Sequence, residues 1–201
     1  MINLFPTVIH EIDVENFSEV QQPIIDFLYA EREANPTGLN HSNCGGWHSR
    51  ALYHLDENDN ILKRVVLDAL NKYLATNVIF KEGVVLRFTA LWAMINNKGH
   101  YNTSHIHPGS DLAGVFWVKT PENSGNLVFN SPHIYNHHYE MSSYSEVFRE
   151  KTNAYPSYWF NPFHHEGQII LFPSSLEHYV KENESNEDRI SVSFNLDLEP
   201  S

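Results

Sequence analysis

The spacing of apolar positions changes along the chain. Between residues 17 and 34, Val20, Ile24, Phe27 and Leu28 recur at helical spacing, and Asn16 or Ser18 stands where an N-cap belongs. Residues 58–75 repeat the pattern with Ile61, Val65, Leu67, Leu70 and Leu74, and Asn58 or Asp59 as the cap. After residue 78 short β-rich runs take over: 78–96, 112–119, 126–130, 168–172 and 189–196, punctuated by Gly, Pro, Asn and Ser. Residues 4–12 read as an edge strand with Pro6 near its start, and 35–50 as loop. The last run alternates. Ile190, Val192, Phe194 and Leu196 share one face, and Arg189, Ser191, Ser193 and Asn195 share the other. In a barrel the polar set lines a cavity; in a sheet buried the opposite way it faces solvent. Two helices followed by many short strands predict a mainly β (α+β) fold, an antiparallel sandwich or barrel with the helices packed on it.

The length of 201 residues suits one domain, 1–201, with helices within 15–76, a barrel over 78–197 and an insertion at 131–167. That insertion carries Tyr135, Tyr139, Tyr144, Tyr155, Tyr158 and Trp159. A long loop in a compact domain is commonly functional, and this one reads either as the wall or lid of a substrate pocket or as a packed surface loop. Tyr101, Asn130, Tyr135 and Trp159 are the candidate substrate-pocket residues. Hydrophobic residues at 41% and aromatics at 13% exclude a disordered chain. A net charge of −12 argues against duplex nucleic acid as a partner, because few cations are available to neutralise phosphates. The lone Cys44 excludes an internal disulfide and, with no signal-like start and no apolar run of ~18 residues, points to a cytoplasmic protein without a membrane span. The oligomeric state is not legible.

The candidate chemistry lies in four residues. His105 and His107 are two positions apart, and on a strand such residues point to one face. His178 follows 71 positions later, and Arg189 comes 11 after that, opening Arg189-Ile190-Ser191. Three imidazoles with open positions suit a catalytic metal, and the guanidinium fork suits a carboxylate beside it. With 13 histidines a His-x-His pair alone is weak, so His178 and Arg-x-Ser carry the argument. The adjacent pairs His137–His138 and His164–His165 point apart on an extended chain and read as loop or surface residues. His48 reads as structural, and Glu177 as pointing away from His178.

The stretch Gly99 to Val118, with His105-Ile106-His107-Pro108 and Ala113-Gly114-Val115-Phe116-Trp117, resembles the first metal strand and its successor in the iron(II)/2-oxoglutarate dioxygenases. Within them it is similar to a small oxygenase group of marine bacteria and phages that carries His-x-His. Leu4-Phe5-Pro6-Thr7, Gly125 to Pro132, Leu171-Phe172-Pro173-Ser174 and Arg189 to Phe194 extend the resemblance along most of the chain. It implies a double-stranded β-helix (jelly roll) using Fe(II), 2-oxoglutarate and O2. The activity implied is hydroxylation of a small-molecule or peptide substrate with decarboxylation of 2-oxoglutarate to succinate. If phage-encoded, the protein would act in the host cytoplasm. The resemblance makes His105, His107 and His178 the metal ligands. It also makes Arg189 the co-substrate anchor, with Ser191 or Ser193, Trp117 and Asn96 beside it. Trp117 departs from the tyrosine of many relatives. His107 departs from the usual carboxylate, for which Asp111 is the alternative; the i+2 spacing favours His107. Other readings are a cupin-like metal- or small-ligand-binding protein without oxygenase activity, a three-histidine dioxygenase without 2-oxoglutarate, and a non-catalytic virion or host-interaction jelly roll. The first two need no anion clamp at Arg189-x-Ser191.

Overall fold

The computed structural model describes residues 7–52, 60–77, 83–132, 159–162 and 164–200. Helix α1 spans Phe17–Ala34 and buries Ile24 and Leu28. Neither expected side chain caps it. Asn16 sits in the left-handed region at φ 52°, and its carbonyl instead accepts the Glu19 N–H at 2.9 Å. Helix α2 spans Ile61–Asn77 and is capped by Asn60; the expected caps Asn58 and Asp59 lie outside the described residues. Asn60 Oδ1 accepts the Lys63 N–H at 3.2 Å while Nδ2 donates to the Leu52 carbonyl at 2.7 Å, so one buried amide satisfies two backbone groups.

The strands are β1 (His10–Asp13), β2 (Asn43–Cys44), β3 (Trp47–His48), β4 (Val84–Asn96), β5 (Tyr101–His105), β6 (Leu112–Lys119), β7 (Leu127–Asn130), β8 (Trp159–Phe160), β9 (Gln168–Pro173), β10 (His178–Val180) and β11 (Arg189–Pro200). They form a six-stranded sheet, β1-β9-β6-β11-β4-β3, and a five-stranded sheet, β2-β5-β10-β7-β8, antiparallel throughout. The expected edge strand is found at His10–Asp13, with 7–9 irregular and 4–6 outside the described residues, and the loop expected at 35–50 contributes the short strands β2 and β3. Residues 78–82 and most of the insertion lie outside the described residues.

Alternation along the central strands builds two apolar layers. Leu91, Ala93, Ile95, Phe116, Val118, Ile169, Leu171, Ile190, Val192, Phe194 and Leu196 pack with Ile24 and Leu28 of α1 and Leu62, Val66 and Leu70 of α2. Ala113, Val115, Trp117, Leu127, Phe129, Ile170 and Phe172 form a second cluster on the opposite strand faces, between the sheets. Gly114 shows how tight the helix-side layer is: a Cβ there would lie 2.2 Å from Phe194 Cζ. No described helix is long and apolar enough to cross a membrane.

Candidate metal centre and anion pocket

His105 ends β5 and His178 opens β10, and the two are direct cross-strand partners. His107 lies just past the end of β5, where its N–H donates to the Ser174 carbonyl at 2.9 Å. One nitrogen from each imidazole falls within 4.8 Å of the others. Ring centroids are 4.4 Å apart for His105 and His178, 5.0 Å for His107 and His178, and 5.1 Å for His105 and His107. Phe129 and Phe172 wall the His178 ring.

Each ring is held through Nδ1. His105 Nδ1 meets the Thr103 carbonyl at 2.7 Å, His178 Nδ1 the Leu176 carbonyl at 2.9 Å, and His107 Nδ1 the side-chain oxygen of Asn195 at 2.6 Å. A carbonyl oxygen can only accept, so Nδ1 carries the proton and Nε2 presents its lone pair. Burial lowers the basicity of all three rings. For His105 and His107 it outweighs their hydrogen bonds, and His178 is pushed down to about 3 by burial first and then by its histidine neighbours. Three neutral, tautomer-fixed imidazoles converging in this way are a donor set suited to a divalent transition metal.

The strand pairing then builds a second feature between the sheets. Arg189 stands opposite Asn96, and Ser191 opposite Trp117. Arg189 is 1% exposed, and burial lowers its pKa to about 10. Its Nη1 donates to the carbonyls of Ser124 and, at 2.8 Å, Lys181. Its Nε and Nη2 have no partner among the described residues, nor do Trp117 Nε1 and Asn96 Nδ2. Leaving so many buried donors unpaired is costly, and an anion would satisfy them. Two backbone devices shape this end. Asn183 donates from Nδ2 to the carbonyls of Asn96 at 2.8 Å and Glu187 at 2.9 Å, tying the β10–β11 connection, which crosses between the sheets, to β4. Gly125, at φ +82°, lets its loop approach Lys181, where a Cβ would lie 2.4 Å from the carbonyl oxygen.

The polar face of β11 therefore lines the interior. Asp111 does not join the histidines; it is exposed, and its carboxylate accepts the Leu198 N–H at 2.9 Å. Asn130 neighbours Phe129, whose ring faces His178, so it points to the other side of the sheet, where Nδ2 donates to Ser104 Oγ at 3.1 Å. Tyr101 is 40% exposed and borders an open cleft with Thr103, Tyr179, Glu182 and His164. Tyr135 lies outside the described residues, and Trp159 is placed only as the β8 partner of Asn130. Glu177 is exposed and accepts from Ser104, as expected.

His164 and His165 lie in a loop, as read, and His165 is exposed, but His164 is partly buried. Its ring stacks on Trp117 at 4.0 Å with an interplanar angle of 13°, and burial first, with the Arg189 charge contributing, lowers its pKa to about 4. His48 is buried and stacks on Trp92 at 5.9 Å, and Trp92 in turn touches the His107 ring at 5.5 Å. Asn195 was placed on the polar face by alternation, but no sequence signal pointed to its bond with a residue 88 positions away.

Known structures share this architecture. A prolyl-4-hydroxylase from Pseudomonas putida aligns with a TM-score of 0.60 at 11% identity over 95% of this chain and 92% of its own. HygX from Streptomyces hygroscopicus, solved with nickel and 2-oxoglutarate bound, aligns at 0.60 and 13% over 95% and 83%. The viral collagen prolyl hydroxylase of Paramecium bursaria Chlorella virus-1 aligns at 0.55 and 14% over 94% of each chain. At these identities the likeness establishes the double-stranded β-helix fold. A search of the curated protein sequences returns no match. Residues 90–195, the strands that carry the histidines and Arg189, match the family described as "Putative 2OG-Fe(II) oxygenase". The chain belongs to that 2-oxoglutarate–iron(II) oxygenase family, whose cofactors are Fe(II), 2-oxoglutarate and O2.

Proposed function

We propose that this oxygenase hydroxylates a small-molecule or peptide substrate at a centre held by His105, His107 and His178, with 2-oxoglutarate anchored by Arg189. The observation that carries the reading is the pairing of three converging imidazoles with a buried guanidinium that has two nitrogens unpartnered among the described residues. Iron(II) with 2-oxoglutarate and O2 supplies the oxidising chemistry: one oxygen atom goes to a substrate C–H bond and the other to succinate, with CO2 released. The protein's own groups bind, orient and exclude water. Arg189 offers Nε and Nη2 to the distal carboxylate, the indole N–H of Trp117 and the amide of Asn96 offer further donors, and Ser191 and Ser193 lie on the same strand face. A third imidazole in place of the carboxylate usual in the wider dioxygenases leaves the centre one unit more positive, which favours a dianionic co-substrate. Phe129 and Phe172 keep the metal side apolar.

The test is anaerobic. Fe(II) and then 2-oxoglutarate are added to the purified protein and the visible charge-transfer band of the chelate is recorded. Development of the band supports the reading, and its loss in Arg189→Ala with metal binding retained assigns the anchor. A flat spectrum from folded wild-type protein sinks it. The cupin-like alternative predicts metal uptake with no response to 2-oxoglutarate.

A further inference from the structure

The three histidines are not held alike. His105 and His178 each use the main-chain carbonyl two residues upstream, Thr103 and Leu176. His107 has no such bond. Its Nδ1 is held by Asn195, a side chain from a different strand and the other sheet, at 2.6 Å. Asn195 lies six residues after Arg189 on the same face of β11, which is fixed between β4 and β6. Trp92 and Phe172 flank the His107 ring at 5.5 and 6.5 Å. They confine its plane but do not decide which nitrogen faces the other two imidazoles; a half-turn about the Cβ–Cγ bond would exchange the ring edges.

We propose that Asn195 is the positioning residue of the third ligand: its side-chain oxygen fixes His107 with Nε2 toward His105 and His178. The proposal rests on the reading of these histidines as metal ligands. An amide suits the task because it accepts the hydrogen bond without adding charge. Two of the rings are thus set by local backbone, which substitution cannot remove, and the third by one replaceable side chain. Partners of this kind typically change metal affinity by roughly 10–100-fold when removed.

The experiment measures Co(II) affinity by chelator competition and the Co(II) absorption spectrum, with wild type, Asn195→Val, Asn195→Ala and Asn195→Asp compared. Val suits a strand position, and Ala provides a second truncation should Val fail to fold. Truncation is expected to weaken Co(II) binding by about 10-fold or more and to alter the spectrum. Asn195→Asp keeps an acceptor and is expected to remain within a few-fold of wild type. Wild-type affinity and spectrum in a folded truncation variant overturn the proposal, as does an Asp variant as weak as the truncations. His178→Ala separates the two claims. If wild type itself takes up no Co(II), the ligand reading fails. If wild type binds, His178→Ala does not and the truncations bind normally, only the role of Asn195 fails.

Discussion

The two faces of the six-stranded sheet solve different problems. On the helix side, Phe194, Val192, Ile95 and Phe116 are fully buried among the apolar faces of α1 and α2. That layer stabilises the fold by removing apolar area from water. On the inner side the same strands present Arg189, Asn96 and Trp117, each with a buried donor unpartnered among the described residues. Such atoms cost stability in the free protein and would be satisfied by the anionic co-substrate proposed to bind there. Neighbouring residues on one strand therefore serve opposite ends, and substitutions should separate stability from binding.

The largest expected effect is on the helix side. Phe194→Ala should lose about 3–5 kcal/mol of unfolding free energy, read from urea denaturation, because the ring is fully buried between Gly114 and Phe88 and its removal leaves a cavity. Arg189→Leu should reverse that profile. 2-Oxoglutarate binding should weaken by about 100-fold, seen by anaerobic calorimetry, while the stability of the metal-free protein changes by less than about 1 kcal/mol. A Leu variant that unfolds would break the comparison, since it would make the guanidinium part of the core. Gly114→Ala should cost about 1–3 kcal/mol through overpacking against Phe194 and leave co-substrate affinity unchanged.

The smallest effect is a pH dependence. His164 has its pKa depressed from 6.5 to about 4 by burial. The unfolded chain therefore takes up this proton first. The stabilisation is complete above pH 6.5 and is lost as pH falls toward 4. Allowing for solvent screening at a half-buried site, His164→Gln should reduce the loss between pH 7 and pH 5 by about 1 kcal/mol. Equal losses in variant and wild type would place the ring in solvent and detach it from the anion pocket.

What the sequence revealed follows from what is periodic or local. The α1 bounds and the two faces of β11 were legible because a 3.6-residue and a 2-residue repeat are written directly in the order of side chains. The His105–His107–His178 cluster was legible because His105 ends one strand with His107 two residues on, and His178 opens the strand paired with it. The cap of α2 was misplaced because the helix was expected from residue 58; the described helix starts at Ile61, and Asn60 immediately before it accepts the Lys63 N–H. The surroundings of His164 were not legible because adjacency in sequence says which way two neighbours diverge, not what either meets. It meets Trp117, 47 positions back, and that contact depends on the return path of the chain after β8.

The bulges on β11 carry a further consequence. The strand is paired on both sides, with register shifts at Ile190/Ser191 against β6 and at Asn195/Leu196 against β4. A slip of one residue would turn Arg189, Ser191, Ser193 and Asn195 toward the helices and push Ile190, Val192 and Phe194 into the interior. Such a molecule would bury a charge in its largest apolar layer. The register that buries the apolar face is thus the same one that holds the proposed clamp and the partner of His107 in the interior, so a slipped strand would lose stability together with the proposed site.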